Sequence, residues 1–130
     1  MSEEVGSVAP VRVLVVDDQE LFRRAASAVV RSMREFAIVG SAADGEESVD
    51  AAADVRPDLV LMDVNLPGID GLEATRRIRR LDPAPVVVLL STYELNEYAD
   101  DALLCGASAY ISKSDFDPGR LRQVWNAVRP

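Results

Sequence analysis

Short β-branched apolar runs alternate five times with longer amphipathic stretches along this chain, and few architectures accommodate that order. Val11 to Val16 is apolar except for Arg12 and reads as a buried strand. After it Leu21, Phe22, Ala25, Val29 and Met33 recur at helical spacing, with Arg23, Arg24, Arg31 and Arg34 between them, which predicts a helix burying those five apolar residues. Phe36 to Ala42 is a second strand. Asp44-Gly45 then turns into a helix that carries Val49, Ala52, Ala53 and Val55 inward and stops at Pro57. Asp58 to Asp63 is the third strand; the loop Val64-Asn65-Leu66-Pro67-Gly68 follows, and Asp70 caps a helix from Gly71 to about Arg80. Val86 to Leu90 is the most hydrophobic stretch, suited to the centre of a sheet covered on both faces, and it leads into Ser91-Thr92. A fourth helix over 94–105 stops at Gly106, Ser108 to Ser112 is a short fifth strand, and Leu121, Val124, Trp125 and Val128 mark a fifth helix.

Right-handed crossovers place each helix over a parallel sheet, so the order implies an α/β fold. The natural arrangement is a flavodoxin-like (βα)5 three-layer sandwich with strand order 2-1-3-4-5. At 130 residues the chain suits one domain, 11–130, preceded by a flexible N-terminus, 1–10.

Composition removes several function classes. A net charge of -8 opposes nucleic-acid phosphates and anionic membranes, so no direct nucleic-acid or membrane binding is expected. The absence of histidine excludes Cys–His metal sites and any triad that needs an imidazole. The single cysteine, Cys105, rules out an internal disulfide and reads as a small buried hydrophobe. No run is long enough to span a bilayer, and Met1-Ser2-Glu3-Glu4 lacks a signal-peptide layout, so a cytoplasmic location is expected. The basic cluster Arg76, Arg77, Arg79 and Arg80 reads as a solvated helix end.

In an open parallel sheet, ligands bind beyond the carboxyl ends of the strands. Those ends carry Asp17-Asp18, Asp63, Ser91-Thr92 and, after the fifth strand, Lys113. Two carboxylates about 4 Å apart repel by roughly 4 kcal/mol at an effective dielectric near 20, so such a cluster needs a cation or takes up protons. Oxygen donors without His or Cys favour Mg²⁺. Asp63, ending the central strand beside a metal and an ammonium, is the candidate nucleophile towards a phosphoryl group. Asp17 and Asp18 point to opposite sides, one placed to ligate directly and the other through water or substrate-facing contacts.

Four segments carry a resemblance: Val15-Val16-Asp17-Asp18-Gln19-Glu20; Leu59 to Gly71, which contains Met62-Asp63-Val64-Asn65-Leu66-Pro67-Gly68; Leu89-Leu90-Ser91-Thr92-Tyr93; and Gly106-Ala107-Ser108-Ala109-Tyr110-Ile111-Ser112-Lys113. In order and spacing the chain resembles the receiver domains of bacterial two-component response regulators, from about Val11 onward. The resemblance implies that Asp63 is phosphorylated by a sensor histidine kinase, and that Mg²⁺ is held by Asp17, Asp18, Asp63 and the Asn65 carbonyl. It further implies that Ser91 and Lys113 contact the phosphoryl group, and that Ser91, Thr92 and Tyr110 form the switch, Tyr110 turning inward as Ser91 moves. The signal would leave through the face of the fourth helix, fifth strand and fifth helix, also a possible homodimer surface. The family is not enzymatic beyond slow self-phosphorylation and autodephosphorylation.

Two departures stand out. Ser114 replaces the proline that often follows the lysine in a cis peptide, which leaves that bond's geometry open. Thr92 stands where a small residue is common and would narrow access to the phosphoryl group. The strings around Ser91 and Tyr110 look like receivers of transcription factors of the nitrate-responsive type, so the expected output is transcription through a DNA-binding domain absent from these residues. The alternative is a stand-alone or phosphorylation-independent interaction module. An aspartyl phosphatase of the haloacid-dehalogenase type is disfavoured, because Asp17-Asp18-Gln19-Glu20 does not supply its Asp-x-Asp-x-Thr pattern. A flavin or nucleotide binder is disfavoured by the acidic first loop.

Overall fold

The computed structural model describes residues 9–92 and 104–130. Its elements are β1 (Val11–Val16), α1 (Glu20–Arg31), β2 (Phe36–Ala42), α2 (Gly45–Val55), β3 (Leu59–Asp63), α3 (Gly71–Ile78), β4 (Val86–Ser91), β5 (Ala109–Ser112), a 3-10 turn (Lys113–Asp115) and a C-terminal helix (Pro118–Val128). The helix expected over 94–105 lies outside the described residues except for its end, as do the first eight residues of the expected flexible N-terminus.

The five strands pair in the order β2-β1-β3-β4-β5, all parallel. Alternate residues of the central strands enter opposite layers, which is why those strands are continuously apolar. Val13, Val15, Leu59, Leu61, Val88 and Leu90 face α1 and the C-terminal helix. Leu14, Val16, Val60, Met62, Val87 and Leu89 face α2 and α3, and Cys105 is buried on that side.

The phase of α1 differs from expectation. Leu21 is 82% exposed and Ala25 is exposed, whereas Ala26, Ser27 and Val30 are buried and Phe22 and Val29 are partly so. The apolar doublets Leu21-Phe22, Ala25-Ala26 and Val29-Val30 define two stripes one residue apart, and the stripe Phe22, Ala26, Val30 meets the sheet. In α2 Ala52 is buried and Val49 packs beside it, but Ala53 is exposed because Ser48 and Ala52 occupy the inward line.

Side chains close the starts of α2 and α3. Asp44 accepts the Glu47 N–H at 2.7 Å and Asp70 the Glu73 N–H at 2.8 Å, satisfying donors that the helix itself leaves open. α3 stops at Ile78 with Arg79 as its C-cap, two residues short of the expected end, and Arg79 donates to the Pro85 carbonyl at 2.8 Å. Gly71 is required by close approach: a Cβ there would lie 2.1 Å from the Asp63 carbonyl oxygen, so α3 starts directly against the end of β3.

Candidate functional site

Sheet register brings the chemistry together. Val16 pairs with Met62, so Asp17 emerges beside Asp63. Asp63 pairs with Leu90, and Ser91 pairs with Ser112, the residue before Lys113. Three adjacent strands and the turn after a fourth thus deliver Asp17, Asp63, Ser91 and Lys113 to one edge of the sheet.

Asp17 is wholly buried. Its Oδ1 accepts the Gln19 N–H at 2.8 Å, and its carbonyl accepts a hydrogen bond from Arg23 Nη1 at 2.7 Å. Asp17 Oδ2 lies 2.6 Å from Lys113 Nζ as an ion pair and accepts no hydrogen bond from the described residues. Asp63 is 3% exposed; its Oδ1 accepts the Asn65 N–H at 3.2 Å and its Oδ2 lies 3.5 Å from Lys113 Nζ. Asp18 is exposed where Asp17 is buried, yet both turn a carboxylate oxygen towards the same cluster rather than to opposite sides. The Lys113 ammonium also sits 4.5 Å from the centroid of the Phe22 ring.

One carboxylate oxygen each from Asp17, Asp18 and Asp63 lies within 4.8 Å of the others. Burial pushes the Asp63 carboxyl up to about 6, the Asp17 charge adds to that, and Lys113 and the Asn65 N–H pull the other way without cancelling it. An all-oxygen donor set, a buried oxygen that accepts no hydrogen bond and a carboxyl pushed towards neutrality all suit a hard divalent cation.

The remaining predicted residues fall around this cluster. Ser91 ends β4 fully buried and Thr92 follows it exposed at the rim. Asn65 is exposed in the loop after β3. Tyr110 is set back from the cluster, half-buried in β5 beside Leu89 and packed against the α2–α3 side of the core. Lys113–Ser114 is a trans peptide, the cis bond among the described residues being Asp82–Pro83. Two contacts to the cluster were not anticipated, Phe22 under Lys113 and Arg23 on the Asp17 carbonyl. Both come from the first turn and a half of α1, which returns over the end of β1; six residues or fewer separate them from Asp17, and that proximity was the available signal.

Among the described residues, no helix is long and apolar enough to cross a membrane. The response regulator GacA of Pseudomonas viridiflava is 42% identical over 103 residues, covering 79% of this chain and 48% of GacA. Protein-glutamate methylesterase/protein-glutamine glutaminase 4 of Myxococcus xanthus is 40% identical over 128 residues, covering 92% of this chain and 36% of the longer protein. The chain therefore spans about half, or less, of the length of these relatives. The signal receiver domain of NarL from Mycobacterium tuberculosis superposes with a TM-score of 0.86 at 26% identity, over 93% of this chain and 98% of that domain. Residues 13–126 match the model of the response regulator receiver domain, and with the strand order and relatives above, this chain belongs to that family of two-component signalling modules.

Proposed function

We propose that the chain is a phosphorylation switch in which Asp63 accepts a phosphoryl group from a phosphohistidine on a sensor histidine kinase. The observation that carries this reading is the Lys113 ammonium, 2.6 Å from Asp17 and 3.5 Å from Asp63 at the end of the central strand. An Asp63 oxygen attacks phosphorus, the P–N bond of the donor breaks, and the departing imidazole takes up a proton as the Asp63 acyl phosphate forms. Lys113 lies close enough to Asp63 to meet the incoming phosphoryl oxygens, and the low exposure of its side chain strengthens their attraction by reducing solvent screening. Ser91, ending β4 next to Leu90, turns its hydroxyl to the phosphoryl group, and Thr92 at the rim narrows access for donor and water.

Asp17, Asp18, Asp63 and the Asn65 carbonyl are the residues that would hold Mg²⁺. When bound, the ion supplies positive charge that keeps Asp63 ionised and offsets charge on the transferring group. The Gln19 N–H, bonded to Oδ1 of Asp17, orients that carboxylate.

Tyr110 turning inward as Ser91 moves would alter the face of the fourth helix, β5 and the C-terminal helix, which we assign as the output and dimerisation surface. The output is transcription through a DNA-binding domain, and the module acts in the cytoplasm. The Myxococcus xanthus methylesterase relative supports one rival, in which the receiver governs an enzyme domain. In either case this segment turns over nothing except its own acyl phosphate.

The test is intact mass after incubation with acetyl phosphate, with and without Mg²⁺, for the native chain and Asp63→Asn. One phosphoryl adduct that requires both Mg²⁺ and Asp63 supports the proposal. No adduct on the native chain under fast sampling would reduce it to a phosphorylation-independent interaction module.

A further inference from the structure

We infer that Phe22 is a positioning residue for Lys113, holding its ammonium at the phosphoacceptor site through the face of the phenyl ring; this rests on the reading of Asp63 as the acceptor. A lysine side chain has four rotatable bonds and three donors without a fixed fork, so it reaches one geometry only if its surroundings impose it. Here two carboxylates draw the ammonium, Asp17 Oδ2 at 2.6 Å and Asp63 Oδ2 at 3.5 Å, and the Phe22 ring centroid lies 4.5 Å from it on α1. That distance is inside the ~6 Å range in which a ring quadrupole attracts a cation.

Phe22 differs from the other two partners in one respect that matters chemically. Both carboxylates would change in the proposed reaction, since Asp63 becomes an acyl phosphate and Asp17 is one of the residues that would hold the metal ion. The ring keeps its charge distribution throughout, and it offers no acceptor lone pair that would compete with phosphoryl oxygens for the ammonium. It attracts Lys113 before and after transfer alike.

The ring is itself held from the side of Lys113. Phe116 follows the 3-10 turn that begins with Lys113, donates its N–H to the Lys113 carbonyl at 3.3 Å, and tilts its ring at 52° to that of Phe22 with centroids 6.3 Å apart. α1 and the turn after β5 are thus joined close to where the Lys113 side chain leaves the backbone. A solely structural role for Phe22 is the competing explanation, because the ring also packs against the α1-side core.

A double-mutant experiment separates the two. The rate of adduct formation with acetyl phosphate at saturating Mg²⁺ is measured for the native chain, Phe22→Leu, Phe22→Tyr, Lys113→Met and Phe22→Leu with Lys113→Met. Alongside, NMR follows the Lys113 ε-methylene protons, which a ring face shifts upfield. Phe22→Leu should slow the reaction by about 2- to 5-fold. Phe22→Tyr, which keeps the ring face, should restore the rate, and Phe22→Leu should cost nothing further once Lys113 is Met. The upfield shift should persist in Phe22→Tyr and vanish in Phe22→Leu. Equal slowing by Phe22→Leu in both backgrounds, or Lys113 protons unshifted in the native chain, would overturn the assignment. If the native chain forms no adduct, the acceptor reading fails by itself, and the ring-current shift alone then decides whether Phe22 holds Lys113.

Discussion

Asp63 is held where ionisation is unfavourable, and its own neighbours are the reason. Burial and the adjacent Asp17 move its carboxyl from 3.8 to about 6 against the pull of Lys113 and the Asn65 N–H. Because an acid with a raised folded-state pKa binds its proton more tightly when folded, the associated stability is fully present below about pH 4 and is lost as pH rises through about 6. The loss amounts to about 3 kcal/mol, so metal-free native protein should become easier to unfold in urea across that window by this amount, beyond what Asp63→Asn shows. Asp63→Asn should accordingly be more stable than the native chain near pH 7.5 in chelator. A native chain that shows no extra slope relative to Asp63→Asn would mean that Asp63 is ionised at little cost. A second outcome follows from the same cluster: at that pH added Mg²⁺ should raise the urea midpoint of the native chain and leave Asp17→Asn unmoved, since Asp17 supplies the buried oxygen that accepts no hydrogen bond. Asp17, Asp63 and Lys113 could be read from the sequence because strand ends fix their height and strand order fixes their neighbours. Closeness to Asp17 in sequence brings Phe22 near the cluster, but its contact with Lys113 could not be read, because that depends on the rotation of α1 about its axis.

The elements divide the same way. In a sheet covered on both faces, every residue of a central strand is buried, so the apolar run alone marks Val86–Ser91 and Leu59–Asp63 to within a residue. A helix must also choose a face. In α1 the doublets Leu21-Phe22, Ala25-Ala26 and Val29-Val30 offer two stripes about 100° apart, and the short connection from Asp17 to Glu20 selects between them rather than the helical pattern itself. Leu21→Ser should therefore change stability by less than about 0.5 kcal/mol, because the side chain is 82% exposed. Val30→Ala, fully buried one stripe away, should cost about 2–3 kcal/mol, and urea unfolding of the two variants distinguishes the observed phase from its neighbour. Gly71→Ala is the corresponding test of a junction. Its added methyl meets the Asp63 carbonyl oxygen, so the start of α3 must move, costing about 1–3 kcal/mol in urea unfolding, and the backbone of Asp63 moves with it.

Across the whole molecule, the proposed signal at Asp63 would have a short mechanical route to the far edge of the sheet. Ser91 pairs with Ser112 and Leu89 with Tyr110, so in the proposed switch a shift at the end of β4 would reach both Lys113 and Tyr110 through one ladder of hydrogen bonds. Tyr110 is suited to having two positions: β5 is the edge strand, and the side chain is half-buried against the α2–α3 side of the core rather than locked within it. Driving such an element from 1:99 to 99:1 takes about 5.5 kcal/mol of differential stabilisation. A phosphoryl group shared between Lys113 and the Ser91 hydroxyl is of that order, each charged hydrogen bond contributing about 1.5–3 kcal/mol. Removing one of the two contacts should leave the chemistry and lose the switch. Ser91→Ala should thus still form the Asp63 adduct, seen by mass, while the Tyr110 ring resonances, expected to move on phosphorylation of the native chain, stay at their unphosphorylated positions. If Tyr110 moves equally in Ser91→Ala, the coupling runs through Lys113 and the β5 backbone, and the hydroxyl at the end of β4 serves only the acceptor chemistry.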